Sequence, residues 1–215
     1  MGRLVVFGAG GRAGRRVVAE AAGRGHEVTA VVRDPGRHGD LAGERVRVVA
    51  GDVTDAASVA AAAAGHDAAV QAAARLDMPS EEFYAAAARA LVEGLSAAGV
   101  TRLVAIGVGT LLEVSPGVRL VDTPGFPADA RAFSLGHAVE LTVFEESGLD
   151  WVVLAPPPVF LDEKAERTGR HRIGDRRVPD AAEGDPVFSF ADLAVAVVDE
   201  AGGGKHHRVQ VAVSF

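Results

Sequence analysis

The stretch Val5-Val6-Phe7-Gly8-Ala9-Gly10-Gly11-Arg12-Ala13-Gly14 joins an apolar run to a segment with helical spacing. Three of its glycines sit where a phosphate-binding turn needs them. Gly8 allows a sharp exit from a strand, Gly11 lets backbone approach a pyrophosphate, and Gly14 lets a helix pack close to the strand. Gly10, Arg12 and Ala13 complete the turn, with the amides at the helix start facing the phosphates. An ordinary tight strand-to-helix turn can carry the same glycines, so the flanks decide. Leu4 to Phe7 reads as a buried parallel strand, and Val17, Val18 and Ala21 share one helical face. A second strand, Val28 to Val32, follows Gly25. That context points to a dinucleotide site.

Other residues extend this chemistry. Arg33 ends the second strand where an acidic side chain would grip the ribose hydroxyls of NAD, and a guanidinium there suits a 2′-phosphate instead. Arg12 offers a second guanidinium. Asp34 is the rival: if its carboxylate faces the pocket, NAD is preferred, and both residues also fit a solvated turn before Pro35. Charge complementarity favours NADP(H) over NAD(H). Gly51-Asp52-Val53 follows the third strand, placed to close over an adenine, with Asp52 as acceptor for its amine and Thr54 or Asp55 left to cap the next helix. Gln71-Ala72-Ala73-Ala74 puts small side chains at the end of the fourth strand, where open sheets bind ligands. Gly107-Val108-Gly109-Thr110 does the same after the fifth, with the Thr110 hydroxyl as a donor.

These residues need elements to position them. Apolar runs recur at 4–7, 28–32, 46–49, 68–70, 103–106, 151–154 and 209–213, most of them separated by helical patterns. The alternation implies a doubly wound parallel sheet flanked by helices in a single domain spanning 1–215. The helix from about Pro79 to Ala98 aligns Phe83, Ala87, Leu91 and Leu95 and ends at Gly99. Another begins at Ser189, buries Phe190, Leu193, Ala194, Val197 and Val198, and stops at Gly202. The run Val209 to Val213 alternates as a half-exposed edge strand does. Two Gly/Pro-rich segments, 107–130 and 156–188, sit where such folds carry substrate loops. Within the second, the five arginines between Arg167 and Arg177 suggest a mobile surface hairpin or a site for an acidic ligand.

Composition excludes other classes. Lys plus Arg number 22 against 29 Asp plus Glu, and this net charge of −7 argues against a nucleic-acid surface. The chain has no cysteine, which removes thiolate and Cys-metal chemistry. No run approaches the roughly 18 to 20 apolar residues of a membrane span, and no signal-peptide layout precedes the first strand, so a cytoplasmic location is expected. His206 and His207, adjacent at a strand entry, point to opposite faces, so no metal site is expected.

With these motifs the chain resembles the atypical short-chain dehydrogenase/reductase group, whose NAD(P)H-binding, NmrA-like members open with Gly-Ala-Thr-Gly-x-x-Gly. Here Gly10 replaces the threonine. The resemblance extends through Val31-Val32-Arg33-Asp34-Pro35, Gly51-Asp52-Val53, Ser147-Gly148-Leu149-Asp150-Trp151 and Pro156-Pro157. Leu120-Val121-Asp122-Thr123-Pro124, Glu166 to Arg172 and Asp192 to Ala196 bring it nearest to NADH-flavin reductases and biliverdin reductase B-like proteins. The resemblance implies a Rossmann fold, NAD(P)H binding and hydride transfer to a flavin-like or other conjugated small molecule. Gly107, Val108, Pro156 and Pro157 would then frame the nicotinamide, with Phe126 and Phe160 stacking on the acceptor. One departure stands out: the Tyr-x-x-x-Lys pair of these enzymes falls on Phe133 and His137. The sole tyrosine, Tyr84, lies on another helix, so a phenolic acid aligned with the nicotinamide is not expected. His137 remains either a ribose contact or proton donor, or a packed histidine. The alternatives are a non-catalytic NADP(H)-binding sensor or an atypical epimerase/dehydratase, in a monomer or homodimer.

Overall fold

Short apolar runs, too short for helices and rich in valine, form the sheet. In the computed structural model, which describes residues 1–158, 161, 164–180 and 188–215, all seven expected runs are strands. They are β1 (Arg3–Phe7), β2 (Glu27–Val32), β3 (Val46–Ala50), β4 (Ala68–Gln71), β5 (Arg102–Ile106), β8 (Asp150–Ala155) and β10 (Val209–Ser214). Between them lie a small hairpin, β6 (Glu113–Ser115) and β7 (Val118–Arg119), and a short strand β9 (Arg172–Ile173). The main sheet runs β3-β2-β1-β4-β5-β8-β10-β9, parallel except for β9. The order reverses between β1 and β4, so their carboxyl ends open the crevice where such sheets bind ligands.

Helices cover both faces. α1 (Arg12–Gly23) and α5 (Phe190–Ala201) bury Val17, Val18, Leu193 and Val197 against one face, while α2 (Ala56–Ala63), α3 (Ser80–Ala98) and α4 (Ala128–Glu146) bury Val59, Leu91, Leu95 and Phe144 on the other. Local chemistry sets their ends. Asp55 accepts from the Ala57 and Ser58 amides to cap α2, Ser189 accepts from the Asp192 amide to cap α5, and Gly99 takes a left-handed φ of 72° to end α3. Gly136 lets α4 pack onto α3, since a Cβ there would lie 2.3 Å from the Ser80 hydroxyl oxygen.

Four expectations need correction. β10 is not an edge strand: β9 pairs antiparallel with it through Val213 and Ser214, and its central residues are buried. Phe190 is only half-buried: its ring packs under the exposed Arg12 side chain, whose guanidinium lies 5.5 Å from the centroid, and not in the core. The segment 107–130 is not all loop, since it contains two short 3₁₀ turns and the β6–β7 hairpin and runs into α4 at Ala128. The arginine-rich stretch is a strap and not a surface hairpin. Arg167 pairs with Glu20 on α1 at 2.8 Å, β9 joins β10, and the backbone of 176–178 bonds Glu113 on both sides.

A buried carboxylate holds the start of that strap. One oxygen of Asp192 accepts from the Thr168 amide at 2.9 Å, the Thr168 hydroxyl at 3.1 Å and the Gly169 amide at 2.8 Å, while the other accepts from the Ser189 hydroxyl at 2.8 Å. Removing it orphans several donors at once. Asp192→Ala is therefore expected to cost about 2 to 3 kcal/mol in urea denaturation. An unchanged midpoint would show that the clamp does not hold the strap.

Candidate functional site

At the carboxyl ends of β1 and β4 the backbones approach too closely for side chains. Gly8 has φ of 76°, and a Cβ on it would lie 2.4 Å from Ala73 Cα. A Cβ on Gly14 would lie 2.1 Å from the Gly8 carbonyl oxygen. Both positions are therefore closed by the protein itself. Gly11 differs: it is exposed, its φ is −76°, and an added Cβ would meet the Gly8 carbonyl oxygen at 3.3 Å and the Ala72 carbonyl oxygen at 4.0 Å, with nothing closer. Its open side faces outward from the turn. The helical ladder of α1 opens with the Arg15 amide donating to the Gly11 carbonyl at 3.0 Å, so the amides of Arg12, Ala13 and Gly14 precede it. That is a cradle for an anion, and it fits a pyrophosphate.

Beside it, Arg33 is exposed and makes no ion pair among the described residues. Its charge helps lower the pKa of both Asp52 and Asp77. Asp34 is turned to its own loop, accepting from the Gly36 amide at 3.0 Å and capping a 3₁₀ turn. Arg12 leans on α5 through Phe190, so the two guanidinium groups have different neighbours. For Asp52, burial raises the pKa, but hydrogen bonds from the Thr54 amide and hydroxyl, with Arg75 and Arg33, outweigh it and leave the carboxyl below its ordinary range. Asp77 is held down to about 2 by its paired Arg75. Val53 turns inward, packed in the core with Val59.

The further end is built by the loops after β4, β5 and β8. Ala72 and Ala73 are half-buried and Ala74 is exposed. Gly107 donates its amide to the Leu154 carbonyl at 2.9 Å, and a Cβ on Gly109 would lie 2.3 Å from the Pro156 carbonyl oxygen. The loop after β5, which carries Val108 and Thr110 on either side of Gly109, is thereby brought against the start of the loop after β8 at Pro156 and Pro158. Phe126 is half-buried, whereas Phe160 lies outside the described residues.

The donor role expected of Thr110 is not what its partners favour. Ser134 gives its hydroxyl proton to the Ala130 carbonyl at 2.7 Å and lies 2.6 Å from the Thr110 hydroxyl. Thr110 then donates to Ser134, leaving lone pairs rather than a proton for a ligand. His137 is buried, its Nδ1 3.2 Å from Glu140 Oε2, and its ring lies on Tyr84 with centroids 3.9 Å apart. Tyr84 is thus on another helix but close to the α4 corner, with Phe133 at 6.1 Å between ring centroids. Burial first, and then the Glu140 charge, push its phenol well above the ordinary tyrosine range. Gln71 completes the cluster, donating to Glu140 Oε1 at 3.3 Å. Glu140 had no signature in the sequence beyond its i+3 spacing from His137. His206 and His207 go to separate carboxylates, Glu200 at 2.8 Å and Asp150 at 2.7 Å.

Three solved structures place this architecture among known proteins. The chain is 38% identical to a "putative exported protein" of Burkholderia pseudomallei, with a TM-score of 0.87 and full coverage of both chains. It is 28% identical to a "putative epimerase" of Bacteroides thetaiotaomicron, TM-score 0.87, over 99% of this chain and 96% of that one. It is 25% identical to a "putative NADH-flavin reductase" of Streptococcus pneumoniae, TM-score 0.83, over 99% of both. No helix among the described residues is long and apolar enough to cross a membrane. The model of the NAD(P)H-binding family matches residues 8–201, from the first glycine of the cradle to the end of α5, and the chain belongs to that family.

Proposed function

We propose that the chain is an NADP(H)-dependent reductase that passes hydride to a flavin-like or other conjugated small molecule held under the segments 107–130 and 156–188. The observation that carries this reading is the Gly11 position, where the cradle is open to a ligand, whereas backbone closes it at Gly8 and Gly14 and the His38 ring covers Gly10. When bound, the nicotinamide supplies the hydride. The chain binds and orients: the amides of Arg12 and Ala13 take the pyrophosphate, the Gly11 amide being held by the Gly8 carbonyl at 3.0 Å, Arg33 takes the 2′-phosphate, and Asp52 lies on the adenine side. Ala72, Ala73 and Ala74 leave room along the crevice, while Gly107, Val108, Pro156 and Pro157 wall its far end. Thr110, offering lone pairs, suits an N–H donor such as a carboxamide.

The type of acceptor follows from the α4 corner. Phe133 has no proton to give, and the Tyr84 phenol is kept protonated far above neutral pH. Removing a proton from an alcohol needs a positioned base, whereas a conjugated ring can take its proton from water. The same missing acid supports a second reading, an NADP(H)-binding sensor without turnover, and weakens an epimerase, which calls for that acid. Steady NADPH oxidation with added flavin separates reductase from sensor. A supply of reduced nicotinamide fits a cytoplasmic setting.

Gly11→Val is expected to abolish NADPH binding in calorimetric titration with little loss of folding. Arg33→Ala is expected to weaken NADPH by about 1.5 to 3 kcal/mol while barely changing NADH. Equal losses for the two cofactors would remove Arg33 from the 2′-phosphate.

Tyr84→Phe is expected to leave the turnover rate nearly unchanged, since its proton is not released. His137→Gln should lower it only a few-fold if the ring merely positions groups, against roughly 10²- to 10⁴-fold for a general acid. A pH–rate profile of both variants measures the difference, and a collapse in Tyr84→Phe would overturn the water-proton route.

A further inference from the structure

The loop after β2 sends a side chain back over the glycine turn. A Cβ on Gly10 would lie 2.6 Å from both Cε1 and Nε2 of His38, so the imidazole covers the space that a side chain at position 10 would fill. This is the position at which the glycine pattern of similar proteins has threonine. The ring is held from the other side by Arg15 of α1, whose guanidinium reaches His38 Nδ1 at 3.0 Å, the Gly10 carbonyl at 3.1 Å, and Asp40. The hydrogen bond from Arg15 keeps the Asp40 carboxyl below its usual range, so the pair stays charged at neutral pH. His38 itself sits between two 3₁₀ turns, Pro35–Arg37 and Gly39–Leu41, the first capped by Asp34 and the second anchored by Leu41 against the core. Backbone and ring are both fixed.

A guanidinium can only donate, so Nδ1 must accept and the imidazole proton sits on Nε2. We infer that His38 is a cofactor-contacting residue whose Nε2–H donates to an oxygen at the 2′ position of the adenosine ribose, with Arg15 as its positioning residue. The inference rests on the dinucleotide lying at the glycine turn, as in the proposed function. Chemically the acceptor is the 2′-phosphate of NADP or the 2′-hydroxyl of NAD. A neutral donor serves either one, while Arg33 supplies the charge that separates them.

The test is calorimetric titration of the intact protein with NADPH and with NADH, for the parent, His38→Phe, His38→Ala, His38→Gln and Gly11→Val, with melting temperatures to confirm folding. His38→Phe keeps a ring on Gly10 without the N–H, and His38→Gln restores a donor. The expected result is NADPH binding about tenfold weaker in the Phe and Ala variants, with partial recovery in Gln. A larger loss for NADPH than for NADH assigns the phosphate, and equal losses assign the hydroxyl. Imidazole ¹⁵N spectra of the cofactor-free protein should show the Nε2–H tautomer. That readout stands even if one variant fails to fold. Unchanged or tighter binding in folded His38→Phe and His38→Ala, or an Nδ1–H tautomer, would overturn the role of His38. If Gly11→Val binds as the parent does, the site reading itself is wrong, whatever His38 does.

Discussion

Two strands and a helix meet at Gly8 with no room for a side chain, and the rest of the site depends on that contact. A Cβ at Gly8 would enter the Ala73 backbone, and one at Gly14 would enter the Gly8 carbonyl. Any substitution there pushes α1 away from β1 or β1 away from β4. Because α1 starts at this contact, the amides that precede its helical ladder lie at the switch point of the sheet. The four glycines of the turn thus have separate duties. Gly8 and Gly14 permit packing, Gly10 accepts the His38 ring, and Gly11 alone leaves space for a ligand.

Electrostatics around the cradle is local, built from short ties. Arg15 joins α1 to the loop after β2 through Gly10, His38 and Asp40, so the turn and its flanking loop form one unit. Asp34 is turned to the Gly36 amide, which leaves Arg33 as the charged side chain displayed at the end of β2. On the far side, Asp192 and Glu20 hold the strap over α5 and α1, and Glu113 links it to the β6–β7 hairpin. Among the described residues, both irregular segments are therefore tied to each other and to the sheet.

Periodicity and punctuation made most of the fold legible. All seven main strands follow from apolar runs, and the ends of α3 and α5 follow from Gly99 and the Ser189 cap. The glycine cradle was legible because its spacing answers a steric demand that few other arrangements share. Long-range pairing was not. Two-residue β9 is too short to leave a period in the sequence, so β10 read as an edge. Nor does sequence spacing say that Tyr84 lands on His137, or that His38 reaches Gly10, because both contacts depend on how elements far apart in the chain pack. Thr110 was seen as a hydroxyl, but the direction of its proton is set by Ser134, 24 positions away.

The central claim is that the open side of the glycine turn receives the pyrophosphate of a nicotinamide dinucleotide. Backbone ¹H–¹⁵N chemical shifts of the intact protein, followed during NADPH titration, test it most directly. The account predicts saturable shifts largest at the Gly10 to Gly14 amides, with further changes at Arg33, Asp52 and Ala72 to Ala74. Saturable shifts centred elsewhere, for example on the opposite rim of the sheet around Arg45 and His66, with the glycine turn unperturbed, would contradict it.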